Sequence, residues 1–391
     1  MAINNMKNLG RLILWLTCLV LPVAAQAVEV KNLYKASAIV ADRSAQSLRQ
    51  GGKAALAEVI IRVSGNSNAL ESFDISRALA DPSRFMEQYG YNKTILENPE
   101  TGLPEPVYEL KVTFNARSIN QLIRRAGLSI WARNRAEVLV WLVIEDETGR
   151  RFVNEATAPQ VMETLQKLAA RRGLPLVFPL NDLTDQLAVT PSDVWGMFMD
   201  PVVQGSERYA PAAVLAGKIY APSATGNLAS WTLHMDNRQN MLDSKGTNMG
   251  EILAPAVDYV ADMLANKYAV TSSGGDADFI WLNVDGVQSL EDFARLTAYL
   301  EKLESIRQVN MGQLEEDSIR FRVYLESDIE NLQQLLALDK KLIKISPQVP
   351  HAGVAISAAN NSVGNNGVMH HKPAIPELNY HWYSTYVSAE P

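Results

Sequence analysis

Residues 138–144, VLVWLVI, are seven consecutive apolar side chains. A strand points successive side chains to opposite faces of its sheet, so a run without polar alternation must be buried on both. That implies a sheet with helices on each side. PQVMETLQKLAARRG reads as such a helix, with Pro159 at its start and Gly173 at its cap, and LPLVFPL reads as a second buried strand. Strand, helix and strand in this order predict a parallel pair with a right-handed crossover. AAVLAGKIYAP and LASWTLHMD follow as a hairpin around Ser223 to Asn227. A helix from Gly250 to Lys267 then closes a unit over residues 131–270.

Upstream, LYKASAIV is expected as a strand, and Asp42 and Ser44 open a helix with Leu48, Ala55, Leu56, Val59, Ile60 and Val63 on one face. Asp81 and Pro82 predict the start of a second helix that turns Phe85, Met86 and Tyr89 inward. YNKTILEN and PVYELKVTFNA are expected as a hairpin and SINQLIRRAGL as a helix, so residues 28–130 form an α+β unit. Downstream, the Gly- and Ser-rich residues 271–277 read as a linker. Residues 278–346 alternate as βαββαβ, a ferredoxin-like domain. Its second hairpin strand sets Ile319, Phe321, Val323 and Leu325 against Arg320, Arg322 and Tyr324. Residues 347–391 are rich in Pro, Asn, Ser, Gly and Ala; they read as a disordered tail that gains order only at LNYHWYSTYV. The fold class is thus α/β and α+β, multi-domain, with two α/β-type units ahead of the ferredoxin-like one.

Residues 1–27 read as a signal peptide. Lys7 and Arg11 precede an apolar run from Leu12 to Val23 that is too short to span a bilayer, and Ala25-Gln26-Ala27 offers a cleavage site after Ala27. The expected compartment is the periplasm, with no transmembrane segment after cleavage. Cys18 is the only cysteine and lies inside that peptide, which excludes disulfides, a thiol nucleophile and thiolate metal sites from the mature chain. Removing Lys7 and Arg11 leaves 34 basic against 43 acidic side chains, a net charge of about −9. That balance argues against nucleic acid or an anionic lipid surface as partner.

The runs ADRSAQSLRQGGKAALAEVIIRVSGN, RAEVLVWLVIEDE, RRGLPLVFPLNDLTD, DVWGMF and AAVLAGKIY together resemble the proteobacterial domain-of-unknown-function family 2066 (DUF2066), over roughly residues 28–345. The resemblance implies an exported envelope protein and carries over no activity and no catalytic residues. At the level of fold, the second unit is similar to the small α/β domains of periplasmic assembly proteins. These include the amino-terminal domain of the Tol-system propeller protein and the lipoproteins that activate penicillin-binding proteins.

Candidate chemistry gathers in three places. Asp182, Asp185 and Asp193 follow the apolar run LPLVFPL. Short acids there cap helix N-termini, yet the same strand edge is where α/β proteins bind ligands. Arg117, Arg124, Arg125, Arg133 and Arg135 surround Trp131 in the sequence, either as an anion-binding patch with a stacking ring or as a solvated face whose arginines pair with nearby acids. Tyr380, Trp382, Tyr383 and Tyr386 stand out in the polar tail, either as a motif for a partner's groove or sheet edge or as a segment that tucks back. His234 and Asp236 share a strand face and read as a surface pair. No Walker loop, Rossmann fingerprint, H-E-x-x-H or G-x-S-x-G elbow is present, so no metal and no cofactor is expected. The resulting expectation is a non-enzymatic periplasmic binding or assembly protein with an envelope protein as partner. The alternatives are an envelope-acting hydrolase using Asp182, Asp185 and Asp193, or a binder of small anions using Trp131 and its arginines.

Overall fold

The computed structural model describes residues 28–97, 102–222, 226–271, 279–315, 318–345 and 375–383. The expected signal peptide, most of the 271–277 linker and Tyr386 lie outside them. The chain is a multi-domain protein of mixed α/β and α+β class. Residues 135–260 cluster as one compact unit, and residues 29–134 with 261–391 as another. Among the described residues no helix is long and apolar enough to cross a membrane.

The second of these units begins with β1 (Lys35–Val40), α1 (Ala45–Ser64), α2 (Phe73–Ala80), β2 (Met86–Glu97) and β3 (Pro104–Phe114), and both β1 and β2 pair antiparallel with the central β3. The strand order is β1-β3-β2. Ser44 caps α1 by accepting a hydrogen bond from the Ser47 N–H at 3.2 Å, and Ala55, Leu56, Val59, Ile60 and Val63 meet Leu110, Val112 and Phe114 in one core. The helix expected from Asp81 is only a single 3-10 turn, Pro82–Phe85, and Met86 already belongs to β2. The reason is non-local: eleven residues of β3 demand a ladder partner, and β2 supplies it from Met86↔Phe114 to Glu97↔Pro104. α3 (Ala116–Arg125) follows, with Ile119, Leu122 and Ile123 inward.

The unit of residues 135–260 is built on β4 (Val138–Asp146), whose residues from Val138 to Ile144 are all buried. β5 (Gly149–Phe152) folds back on it, and α4 (Pro159–Arg172) leads to β6 (Leu176–Val177). β6 pairs with β4 in parallel over Val138–Leu139 only. The long buried strand expected at LPLVFPL is therefore two residues, because Pro175 and Pro179 have no N–H to extend the ladder. Three short helices come next, α5 (Leu183–Ala188), α6 (Pro191–Trp195) and α7 (Met199–Ser206). β7 (Ala213–Tyr220), β8 (Asn227–Met235) and β9 (Arg238–Gly246) complete the sheet in the order β9-β8-β7-β4-β5, with β7 parallel to β4. Leu139, Trp141 and Val143 face Val189, Val194, Met199 and Val202 of the short helices and their connections. Trp231 occupies the other face, where Ser244 receives the indole N–H at 3.2 Å and donates to the Ile252 carbonyl at 2.7 Å. That bond fixes the start of α8 (Met249–Tyr268).

The remaining elements are β10 (Phe279–Asp285), α9 (Leu290–Glu301), β11 (Ile306–Glu315), β12 (Ser318–Leu325), α10 (Ile329–Asp339) and β13 (Leu342–Lys344). They give the expected βαββαβ succession. The tail, expected to gain order only at LNYHWYSTYV, contributes a further strand there, β14 (Glu377–Trp382), and the sheet order is β11-β12-β10-β14-β13. β14 runs parallel to β10 and antiparallel to β13, so it separates the domain's first and last strands. Its alternation drives this. Leu378, Tyr380 and Trp382 enter the core against α9 and α10, where the rings of Trp382 and Tyr299 lie 5.9 Å apart. Burial raises the Tyr380 phenol above its ordinary pKa. Of the four tail aromatics, Tyr380 and Trp382 are thus core residues and Tyr383 is half exposed. This domain and the N-terminal one share contacts within their unit. Asp339 accepts hydrogen bonds from Tyr299 Oη at 2.9 Å and Asn134 Nδ2 at 3.0 Å, and its burial raises the carboxyl pKa.

Trp382→Ala is expected to lower the stability of this unit by about 3 kcal/mol, a cost typical of emptying a large buried aromatic site. Urea unfolding followed by circular dichroism checks it, with Tyr383→Ala as the nearly neutral comparison. A loss below about 1 kcal/mol would mean that β14 lies outside the cooperative core.

Candidate functional site

Asp182, Asp185 and Asp193 do not share one site. Asp193 sits in the first turn of α6 and forms a reciprocal capping box: Thr190 N–H donates to its Oδ2 at 2.8 Å, and its own N–H donates to Thr190 Oγ1 at 3.2 Å. Asp182 is the N-cap of α5 and accepts the Asp185 N–H at 3.0 Å. Asp185 turns inward and is only 1% exposed. A buried carboxylate needs its oxygens filled, and here they are. Oδ2 accepts from the Asn181 N–H at 2.9 Å and from Tyr209 Oη at 2.6 Å, while Oδ1 accepts from Arg208 Nη1 at 3.0 Å.

Arg208 joins the two acids. Its Nη1 and Nη2 reach Asp182 Oδ1 and Oδ2 at 2.8 and 2.9 Å, a bidentate pair, while Nη1 also serves Asp185. This pairing lowers the Asp182 carboxyl to a pKa of about 2 and holds Arg208 more firmly protonated than usual. The Tyr209 phenol is raised, first by burial and then by its bond to Asp185. Tyr209 Oη in turn accepts the Leu180 N–H at 3.0 Å. Asn181 takes the left-handed conformation between them, φ 54°, which its short polar side chain tolerates. The outcome is a closed clamp on residues 180–188. On its outer side Leu180, Leu183 and Leu187 are 71%, 70% and 78% exposed. The clamp's acids support a rigid apolar knob, and neither is presented to a cleft. Two cavities of about 550 and 350 Å³, one beside α1 and one beside β8, contain none of the three aspartates.

The arginine group also disperses. Trp131 is 1% exposed, its backbone N–H donates to the Val63 carbonyl at 2.7 Å, and its ring lies where a Cβ on Gly65 would come within 3.0 Å. Gly65 is the left-handed cap of α1, φ 71°, so both backbone and space call for glycine there. An enclosed indole cannot stack on a ligand, which corrects the reading of Trp131 as a stacking ring. Arg124 lies 3.4 Å from Glu326 and Arg133 lies 3.4 Å from Glu29, while Arg117 and Arg125 are exposed. Arg135 is fully enclosed and donates to the Arg172 and Gly173 carbonyls at 2.8 and 2.9 Å, closing the end of α4. His234 is half-buried at the rim of the smaller cavity. Among the described residues no group of three or more His, Cys, Asp or Glu is placed to hold a metal.

Sequence reasoning found the two clamp acids and missed Arg208 and Tyr209. Those two follow α7 by one turn in E-R-Y, where no periodicity or spacing links them to Asp182.

Fold and site together define a multi-domain α/β protein with a clamped surface knob. Residues 27–132 match the family described as Domain of unknown function (DUF8605), which covers the N-terminal unit alone. That finding replaces the resemblance to DUF2066: the family matched over the N-terminal motifs is a different one. No curated protein matches the chain.

Two outcomes test the clamp. Asp185→Ala strands three donors and is expected to cost about 3 kcal/mol, read from urea unfolding. Asp182 has a folded pKa of about 2, below its ordinary 3.8, so its pairing stabilises above pH 3.8 and is lost as the pH falls through 2. A carboxyl-carbon NMR titration should place the Asp182 midpoint near the lower value; a midpoint near the ordinary one would contradict the bidentate pair.

Proposed function

We propose that the protein is a non-enzymatic binding or assembly module of the periplasm that acts through protein–protein contacts. One observation carries the reading: Leu180, Leu183 and Leu187 are each at least 70% exposed on a segment that buried polar bonds hold rigid. Single exposed leucines are ordinary, but three within eight residues form a local apolar patch. Leu183 and Leu187 stand four apart on α5, the spacing of anchors that enter a partner's groove. A knob already ordered before binding loses little conformational freedom on docking, so its apolar area converts efficiently into affinity. The partner is therefore a protein with an apolar groove.

The hydrolytic reading of the aspartates has less support. A general acid or base must reach substrate. Asp185 is enclosed and fully occupied, Asp182 holds Arg208, and Asp193 closes a cap. The proposed compartment rests on the N-terminal pattern and is checked by release of the full chain on osmotic shock.

A photocrosslinking amino acid placed at Leu183 or Leu187 in cells is expected to capture a discrete partner band, and one placed at Glu163 is not. Combining Leu183→Asp with Leu187→Asp should abolish association with that partner while the circular dichroism melting curve stays unchanged. No captured protein at either leucine would sink the proposal.

A further inference from the structure

Among the described residues, the helices of the C-terminal domain, α9 and α10, pack on one face of its five-stranded sheet. Its register brings the side chains of the other face together: Phe279 beside Tyr324, Trp281 beside Arg322, Asn283 beside Arg320, and Asn310 on the far side of Arg322. Trp281 reaches across β12 until its ring fills the place of a Cβ on Gly312, which would lie 2.7 Å away. In doing so it passes between the two arginines. Their guanidinium carbons stand 4.5 Å (Arg320) and 5.2 Å (Arg322) from its ring centroid, and Arg322 also covers Phe279 at 4.9 Å. Aromatic support of this kind fixes a guanidinium's plane while leaving its N–H edge free to bond. Arg320 has Glu377 at 3.2 Å. Arg322 is exposed and has no ion-pair partner among the described residues.

We propose that this face is a docking surface for an acidic, extended polypeptide segment, with Arg322 as its carboxylate anchor. The proposal is independent of the leucine knob and concerns a different unit. Charge complementarity is the argument: a preorganised guanidinium pair stands out on a chain whose net charge is −7, and its planar fork matches a carboxylate. Several features favour a peptide over other anions. Guanidiniums already lie over Trp281 and Phe279, which removes those two rings as stacking platforms for a base or a sugar. Two arginines beside Glu377 are too few for a phosphate backbone, whose affinity scales with the number of phosphates neutralised. Gln308, Asn310, Asn283 and Asn379 border the arginines with amides that can exchange their bonds to one another, Gln308 to Asn310 at 3.0 Å and Asn283 to Asn379 at 2.7 Å, for bonds to peptide groups.

The test is fluorescence anisotropy on the full mature chain, with a fluorescein-labelled peptide that alternates glutamate and serine. The expected result is saturable binding that weakens with added salt and is absent for the glutamine–serine counterpart. Arg322→Gln should weaken it about tenfold or more, the scale of a lost charge-assisted hydrogen bond. Asn310→Glu, which places a negative charge beside the same guanidinium, should do likewise, and thermal unfolding of each variant verifies the fold. Lack of binding, binding indifferent to both substitutions, or tighter binding of oligothymidylate than of the glutamate peptide would overturn the proposal.

Discussion

Strand β4 has no solvent face, and the unit around it is arranged by that condition. Side chains from Val138 to Ile144 lose their water on both sides, so two apolar layers must cover them. One layer comes from Trp231 and the start of α8. The other comes from α5, α6 and α7, each eight residues or shorter. Helices of that length do not persist alone in water. They depend on what they bury against β4 and on caps that satisfy their first N–H groups. Asp182, Thr190 and Asp193 supply those caps, and Trp141 secures the layer through its bond to Ser206 at 2.9 Å. The Asp185 clamp follows from the same need. A short helix carrying exposed leucines holds its place because a buried carboxylate ties Asn181, Arg208 and Tyr209 together.

The C-terminal domain answers a related constraint in another way. An open sheet leaves unpaired N–H and C=O groups along each edge, and its apolar face must be covered. Here β14 enters between β10 and β13, pairs with both, and adds Leu378, Tyr380 and Trp382 to the face beneath α9 and α10. Inserting the strand widens the sheet without adding a helix. The polar and aromatic residues of β10 and β12 occupy the opposite face.

How far the sequence could be read varies with the distance over which each feature is decided. The uninterrupted run at 138–144, the stripe from Leu48 to Val63 and the alternation from Ile319 to Leu325 are local patterns, and each matches an element whose apolar residues face its core, with Leu48 and Leu325 partly buried at the ends. The turn at Pro82 and the two-residue β6 differ from the elements expected there, and the strand at Glu377 falls where the tail was expected to gain order, with partners that the sequence did not name. At Pro82 and at Glu377 a partner strand far along the chain decided the conformation, and at β6 the flanking prolines did. Asp182 and Asp193 were legible as caps because a cap is made within four residues. Asp185 was not legible as a clamp, since Arg208 and Tyr209 lie more than twenty residues away.

The sequence by itself determined the class of fold, the apolar faces of the main elements and the lack of disulfides in the described chain, because composition and period act through the nearest turns and strands. Only the tertiary structure decided that Trp131 and Arg135 are enclosed, that the tail completes a sheet, and which arginine meets which acid or ring. Those outcomes depend on where water is excluded and which distant groups come within bonding distance, and neither is written in the spacing of residues along one segment.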